Sequence, residues 1–248
     1  MEFKDYFSSQ AAEYAKFRPR YPDELFEYLS SITDEHKKAW DCAAGNGQAA
    51  LSLANYFDEV IATDASEKQI ENAVEHPKIK YMVVHAENSG IESHSVDLIT
   101  VATAIHWFNL PKFYEEARRT LKPEGTLAIW NYARSNVSEA VDSITDHYID
   151  NIVGSYAAPD FWKGVNAETD IEFPFDRIKT PEFIIRQNWS FRDYVNYIMT
   201  WSPTQNYFKK NNSNPLEHIF DDFKKAWGDE NEKKEIIWKL TLKAAKVK

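Results

Sequence analysis

Apolar residues recur along the first half of the chain in short runs that alternate with helical segments. These runs predict strands at 38–41, 59–63, 79–84, 95–101 and 126–132, and helices at 48–54, 66–74 and 111–121. Five strands that alternate with helices are typical of an α/β fold with a doubly wound, mostly parallel sheet.

The N-terminal segment follows a different pattern. Residues 3–29 look helical, with two prolines that break the run, and apolar residues fall at helical spacing within it. One interpretation is a helix packed on the sheet edge. The other is a flap, residues 1–30, that closes over a ligand and brings Tyr14 and Arg18 or Arg20 close to a carboxylate.

Beyond residue 132 the alternation of strands and helices lapses. The predicted elements there are a helix at 137–153, an irregular aromatic stretch at 156–175, a strand at 182–189, a helix at 191–201, a polar loop at 209–214, a helix at 215–227 and a last strand at 235–244. Pro203 is expected to interrupt the chain after the helix that ends at Trp201. We expect residues 133–176 and 191–230 to cap the carboxyl edge of the sheet.

The turn after the first strand carries the strongest chemical signal. The strand ends at Asp41, small residues follow with Gly45 and Gly47, and a helix begins after them. Small residues there let a ligand lie against the backbone, and the helix N-terminus offers unpaired N–H groups. Asp64 ends the next strand about twenty residues on, where a carboxylate can accept both hydroxyls of a ribose. Together these features predict a nucleotide-like ligand.

Charge and composition narrow the possible partners. Lys and Arg total 29 and Asp and Glu total 39, so the net charge of −10 argues against a general nucleic-acid binder. Cys42 is the only cysteine, which excludes a disulfide within the chain and a thiolate metal cluster. The N-terminus has no apolar signal region, and no apolar run could span a bilayer. We expect a soluble cytoplasmic monomer or homodimer that acts on a small molecule, without metal, membrane or nucleic acid.

Two further segments stand at predicted strand ends, where ligands bind in open α/β sheets. Ala86 and Glu87 follow the third strand and suit an adenine edge, although Glu87 could equally be a solvated loop acid. His106 and Trp107 follow the fourth strand, where His106 has either a structural role or a role at the site.

The turn resembles a known signature. Asp-x-Ala-x-Gly-x-Gly at 41–47 is similar to the Asp-x-Gly-x-Gly-x-Gly of class I S-adenosylmethionine (SAM) methyltransferases, with Ala43 in place of the first glycine. An alanine costs little there if its φ is negative. The dinucleotide fingerprint Gly-x-Gly-x-x-Gly also fits with Ala50 in its last place, so a nicotinamide-dependent dehydrogenase is an alternative.

Several segments together resemble the trans-aconitate methyltransferase-like branch of the type 11 group. The matching segments are 17–22, 41–47, 104–108, 125–132, 191–195 with 200–202, and 235–238. The resemblance implies one SAM-methyltransferase domain over residues 1–248. It also implies a seven-stranded sheet in the order 3-2-1-4-5-7-6 whose last strand is antiparallel.

The resemblance also implies site residues by position. The SAM contacts would be Tyr14, Ala43, Gly45, Asp64, Ala65, Gln69, Ala86, Glu87 and Thr103, and the acceptor contacts would be His106, Trp107, Trp130, Arg134 and Trp201. Tyr14 would close the site from the N-terminal helix.

The chemistry of methyl transfer limits what the protein has to supply. Because the methyl group of SAM is already activated by its positive sulfur, positioning and exclusion of water can provide much of the acceleration. A carboxylate acceptor needs no general base, only a cation to orient it, and the candidates are His106, Arg134, Arg186 and Arg192. A phenol or an amine needs a base, for which His106 is best placed. We expect carboxyl O-methylation of a small acid. The alternatives are phenol or amine methylation, or a SAM-binding protein without catalytic activity.

Overall fold

One mixed sheet forms the frame of the molecule. The computed structural model describes residues 17–132, 134–158 and 171–247. The strands in these residues are β1 (Lys38–Cys42), β2 (Glu59–Asp64), β3 (Ile79–Val83), β4 (Val96–Ala102), β5 (Leu121–Tyr132), β6 (Arg177–Ile178), β7 (Phe183–Trp189) and β8 (Lys234–Val247). Their order is β3-β2-β1-β4-β5-β8-β6, with β7 also paired to β8.

Burial explains why the central parallel strands β1, β2 and β4 are rich in apolar residues. Val96 to Val101 are all buried in β4, and Trp40 of β1 lies between Ile61 of β2 and Ile99 of β4. Strands covered on both faces have this composition because helices of the crossover connections pack on each side. The predicted doubly wound α/β sheet is confirmed.

Helices cover both faces of the sheet. They are α1 (Asp23–Ser31), α2 (Gln48–Leu53), α3 (Glu67–Glu71), α4 (Leu110–Thr120), α5 (Glu139–His147), α6 (Phe191–Met199), α7 (Ser202–Asn211) and α8 (Phe220–Trp227). Single 3-10 turns stand at Ile105–Trp107, Gly154–Tyr156 and Pro215–His218, and a π-helical stretch at Tyr148–Val153 continues α5. One core cluster joins the sheet to α1, α2, α5, α6 and α8, and the other joins it to α4.

The last strand is antiparallel, as predicted, and the strand on its outer side is split. Trp130 of β5 pairs with Leu242 of β8, while β6 and β7 follow one another along the other side of β8. Pro181 stands between β6 and β7 and has no N–H for the ladder. The Thr180 hydroxyl donates to the Leu242 carbonyl (3.2 Å) across this gap. The predicted order 3-2-1-4-5-7-6 therefore holds, with the outer strand in two pieces.

The prediction for the segment after Trp201 was wrong. Instead of an interruption and a polar loop, the chain forms α7 from Ser202 to Asn211. Pro203 occupies the first turn of this helix, where its missing N–H would be unpaired in any case. Asn212 ends the helix with a φ of 51°. The predicted helix 215–227 is instead a 3-10 turn followed by α8.

Hydrogen bonds and rings hold the helices α5 to α8 together. The hydroxyls of Ser135 and Tyr194 lie 2.7 Å apart, and those of Tyr148 and Thr204 lie 2.9 Å apart. The Tyr194 ring stacks on Trp227 with a centroid distance of 5.7 Å. This group contributes Thr200, at the end of α6, to the carboxyl edge of the sheet. In the described ranges no helix has the length and apolar character that crossing a bilayer requires.

Candidate functional site

The turn between β1 and α2 lies at the carboxyl edge of the sheet. Ala43, Gly45 and Gly47 all have positive φ, at 55°, 58° and 87°. The Ala44 amide donates to the Thr63 carbonyl of β2 (2.9 Å), which ties the turn to the neighbouring strand. The turn therefore stands between the ends of β1 and β2, with residues 43–46 only partly buried.

Space as well as backbone conformation requires glycine at one of these positions. A Cβ atom on Gly47 would lie 2.4 Å from the Tyr81 hydroxyl oxygen, closer than non-bonded atoms approach. A Cβ atom on Gly45 would lie 3.8 Å from Gln69 Oε1, an ordinary contact distance. A side chain at Gly45 would therefore point towards Gln69, and the glycine keeps the space between them open.

Ala43 was expected to cost little only if its φ were negative, and the structure shows the opposite sign. Its φ is positive, so this alanine adopts the left-handed conformation that glycine occupies at low cost. For a residue with a Cβ atom that conformation costs roughly 1–2 kcal/mol. The chain therefore carries local strain in the turn.

Asp64 is fixed by the backbone of the same turn. Its Oδ2 accepts a hydrogen bond from the Gly45 amide (2.9 Å), and its Oδ1 accepts one from the Ser66 amide (2.8 Å). The first bond links the end of β2 to the turn after β1. The carboxylate predicted to receive a ribose is therefore held beside the open backbone of Gly45.

Asp41 is a buried acid beneath this turn. Its Oδ1 accepts from the Thr100 hydroxyl (2.9 Å), and its Oδ2 has no hydrogen-bond partner. Burial raises the pKa of the Asp41 carboxyl to about 7, against the opposing effect of the Thr100 hydroxyl and the Ala50 amide, and the charge of Asp64 adds to the rise. A cation near Asp41 would favour its ionised form.

The predicted adenine contacts lie at the ends of β2 and β3. Ala65 directly follows β2, and Gln69 lies on α3 with its Oε1 buried and without a partner. Ala86 is buried in the loop after β3. The neighbouring Glu87 accepts a hydrogen bond from the Asn109 amide (2.7 Å) and so ties this loop to the start of α4.

Thr103, directly after β4, has a strained backbone. Its φ is 56°, which is unusual for a β-branched residue. The Thr103 amide donates to the Trp130 carbonyl (2.8 Å), and its hydroxyl shares a hydrogen bond with the Tyr21 hydroxyl (3.1 Å). Strain of this kind is concentrated at functional sites, which agrees with the predicted place of Thr103 beside a ligand.

The segment 17–22 crosses the carboxyl edge and contacts several of its parts. Arg18 donates to the Tyr132 hydroxyl (2.9 Å) at the end of β5 and to the Thr200 carbonyl (3.3 Å), and the Pro19 carbonyl accepts from the Gln48 side chain (3.1 Å). Tyr14 lies outside the described residues, so its contact with SAM stays a prediction.

Aromatic side chains surround the region after β4 and β5. His106 lies in the 3-10 turn with its ring centroid 4.8 Å from that of Trp107. Trp130 is 1% exposed and packs edge-on against Tyr21, with a centroid distance of 5.5 Å. Trp201 is partly buried, 5.4 Å from the ring of Tyr197. The structure thus places the predicted acceptor residues around the ends of β4, β5 and α6.

The predicted arginines have other partners. Arg134 donates to Asp146 and to Asp150, both at 2.7 Å. Arg186 pairs with Glu235 on the exposed edge (3.1 Å), and Arg192 is exposed on α6. Arg18, which the sequence indicated only as part of a flap, is the arginine that contacts the end of β5.

Polar atoms without partners gather at this edge. Among the residues that the structure describes, the buried side-chain atoms there without a hydrogen-bond partner include Asp41 Oδ2, Gln69 Oε1, Trp130 Nε1 and Asn131 Oδ1. Buried polar groups are nearly always paired, so a cluster of unpaired ones indicates a place where a ligand completes the contacts. Two of them lie on the side of the glycine turn and two at the end of β5. No set of three or more histidine, cysteine or acidic side chains in the described ranges is arranged to hold a metal ion.

The strain at Ala43 leads to a stability prediction. Ala43→Gly should raise the free energy of unfolding of the ligand-free protein by about 1 kcal/mol, because glycine adopts the left-handed conformation without penalty. Ala44→Gly is the control, since Ala44 keeps a negative φ and should lose about 0.5–1 kcal/mol. Urea unfolding measures both, and equal losses in the two variants would contradict the strain.

Comparisons with known proteins agree with this geometry. A family model described as a methyltransferase domain matches residues 40–129. A Dictyostelium discoideum protein provisionally named a methyltransferase is 37% identical, with 91% of this chain and 88% of that protein covered. A solved structure from Anaeromyxobacter dehalogenans, provisionally named a type II methyltransferase, has a TM-score of 0.86 at 32% identity and covers 93% of this chain and 98% of its own.

The conclusion rests on the full-length matches together with the turn. A Saccharomyces cerevisiae protein provisionally named a SAM-dependent methyltransferase matches a shorter part, with 30% identity over 56% of this chain and 51% of that protein. The glycine turn, Asp64 and the unpaired atoms of Asp41 and Gln69 fit a nucleoside with a charged side chain. The chain belongs to the class I SAM-dependent methyltransferases, whose fold implies binding of SAM and of its product S-adenosylhomocysteine.

Proposed function

We propose that this methyltransferase acts on a carboxylate oxygen of a small organic acid, within the trans-aconitate methyltransferase-like branch. The observation that carries the acceptor class is Arg18, a cation at the carboxyl edge that donates to the Tyr132 hydroxyl and the Thr200 carbonyl. Residues 1–248 would form one domain, with an N-terminal flap at 1–30 and cap elements at 133–176 and 191–230.

SAM would be held by the residues around the glycine turn. Asp64 would receive the ribose hydroxyls, with Ala65, Gln69, Ala86 and Glu87 at the adenine, and with Ala43, Gly45 and Thr103 at the methionyl part. The unpaired Gln69 Oε1 suits the amino group of adenine, and the unpaired Asp41 Oδ2 suits the positive charge of the methionyl part. Tyr14 would close the site. When bound, SAM supplies a methyl group on a positively charged sulfur.

The protein's own residues would orient the acceptor and exclude water. A carboxylate is ionised at neutral pH and needs no general base. Arg18 can orient it through charge-assisted hydrogen bonds, and His106 would add a second polar contact. Trp107, Trp130 and Trp201 would surround the acceptor with rings, which would keep water away from the reacting atoms.

The arginine contacts favour Arg18 over Arg134 as the orienting cation. Asp146 and Asp150 both lie 2.7 Å from the Arg134 guanidinium, so an acceptor carboxylate would compete with two acids already in place. Arg18, in contrast, contacts Tyr132 and Thr200 at the ends of β5 and α6, beside the other predicted acceptor residues. A phenol or amine acceptor would instead depend on His106 as a base, and a protein that only binds SAM would need neither residue.

The first prediction concerns the cofactor. Calorimetry should show binding of SAM and no comparable binding of NAD, and Asp64→Asn should weaken SAM about 10- to 100-fold because a charge-assisted contact to the ribose is lost. Asp58→Asn is the matched control, since Asp58 is an exposed acid paired with Lys37. Equal SAM affinity in the wild type and Asp64→Asn would contradict this placement.

The second prediction uses the raised pKa of Asp41. SAM affinity should increase from about pH 6 to about pH 8, because the cation binds better once this carboxyl ionises near pH 7. In the ligand-free protein, the free energy of unfolding changes with pH in the opposite direction. The acid binds its proton more tightly folded than unfolded, so its contribution to stability is lost as pH rises towards 7, with a slope of at most about 1.4 kcal/mol per pH unit.

Asp41→Asn serves as the comparison for both slopes. The variant should show less pH dependence of SAM affinity between about pH 6 and pH 8, measured by calorimetry, and of unfolding free energy between about pH 4 and pH 7, measured by urea unfolding. Slopes identical to those of the wild type would show that Asp41 does not titrate in this range.

The third prediction concerns the acceptor. With a panel of short carboxylic acids, phenols and amines, release of S-adenosylhomocysteine should occur with acids. Arg18→Met should raise the KM for the acid about 10- to 100-fold while SAM affinity stays unchanged. Arg20→Met is the control on an exposed arginine two residues away.

The same panel separates the alternatives. If Arg18→Met weakened SAM and left the acceptor KM unchanged, Arg18 would bind the carboxylate of the cofactor instead. If only phenols or amines were methylated, and His106→Ala abolished this, the base-dependent reaction would replace our proposal. If His106→Ala left turnover unchanged with every class of acceptor, the placement of His106 at the site would be wrong.

A further inference from the structure

A small, mostly apolar pocket lies beside the 3-10 turn that carries His106. The sheet bounds it on one side and residues 171–173 bound it on the other, and its volume is about 10 Å3. Three polar residues, Asn131, Thr241 and Lys243, also line it, and its apolar walls are Ile105, Ile129, Trp130, Ile171 and Phe173. The volume suits one hydroxyl-sized group.

The register of β5 and β8 brings the polar residues together. Asn131 pairs with Thr241 and Ile129 pairs with Lys243, so Asn131 and Lys243 are diagonal neighbours on one face. Such neighbours lie roughly 7–8 Å apart in an antiparallel pair. One small group between them can therefore reach both side chains.

The two side chains offer complementary hydrogen-bonding groups. Asn131 is 5% exposed, and its Oδ1 has no partner. Lys243 is 6% exposed, and its Nζ donates to the Ile171 carbonyl (2.8 Å). A hydroxyl can accept from an amine and donate to an amide oxygen at the same time. A carboxylate could not donate to Asn131 Oδ1, and an ammonium group could not accept from Lys243.

We propose that this pocket receives a hydroxyl group of the methyl acceptor, donated to Asn131 Oδ1 and accepted from Lys243. The inference rests on the proposed function, and it names the substrate more narrowly as a hydroxylated acid. Asn131 and Lys243 are then specificity residues, because they contact a part of the acceptor that does not react.

The test compares medium-chain monocarboxylic acids with hydroxy acids of equal chain length, in which the hydroxyl is moved one carbon at a time. At one position the hydroxyl should raise kcat/KM at least about tenfold, since a site built for a hydroxyl rejects the analogue without it. Asn131→Leu should remove this preference, so that the hydroxylated acid and the plain acid have equal kcat/KM, while the affinity for SAM is kept. Asn136→Leu is the control, because Asn136 is exposed and pairs with Ile237 through the backbone.

A stability measurement supports the kinetics. Asn131→Leu should leave the thermal midpoint of the ligand-free protein unchanged or raise it, because it removes a buried acceptor that has no partner. A clear fall in the midpoint, absent in Asn136→Leu, would assign Asn131 to a structural role with a buried water and overturn the inference.

The outcomes also distinguish the two proposals. Methylation of plain and hydroxylated acids at equal rates would overturn the hydroxyl pocket and leave carboxyl methylation in place. If SAM binds but none of the acids is methylated, both the hydroxyl pocket and carboxyl methylation would be overturned.

Discussion

The hydrogen bond from the Gly45 amide to the Asp64 carboxylate is the contact on which the site depends. It joins the turn after β1 to the end of β2, and its length is 2.9 Å. A turn with three left-handed residues has no regular ladder of its own, so its shape has to be set by neighbouring elements. Asp64 fixes one side of this turn, and Tyr81 closes the other by its contact with Gly47. These two contacts together hold the backbone of Gly45 in place.

Energy is stored at this edge and offset elsewhere. The left-handed conformations of Ala43 and Thr103 and the unpaired atoms of Asp41 and Asn131 each cost about 1–3 kcal/mol. Folding tolerates them because both faces of the sheet bury large side chains, including Trp40 on one face and Trp130, Trp227 and Trp238 on the other. Ligands that pair with these atoms would recover part of that cost, so affinity and local instability have the same origin.

Sequence patterns predicted the parallel half of the sheet because its strands are buried on both faces, and the run Val96 to Val101 shows this in the sequence itself. They failed where tertiary contacts decide the outcome. Pro203 was taken as a break, although proline is compatible with the first helical turn. The pairing of Arg134, a candidate acceptor contact, with Asp146 and Asp150 is likewise not visible in the sequence. The sign of φ at Ala43 is invisible in a sequence.

The acceptor side was harder to predict, because it is assembled from distant parts of the chain. The family model ends at residue 129, directly before Trp130 and Asn131, and β8 and the helices α6 and α7 lie beyond it. In the sequence, Lys243 stands out only as a lysine among the apolar residues of the last strand. Its place beside Asn131 depends on the antiparallel register. The cofactor half of the site is thus set by the parallel strands and their short-range signature. The proposed acceptor half lies at the antiparallel strand and the helices beyond residue 132, and we expect differences in acceptor among related chains to arise there.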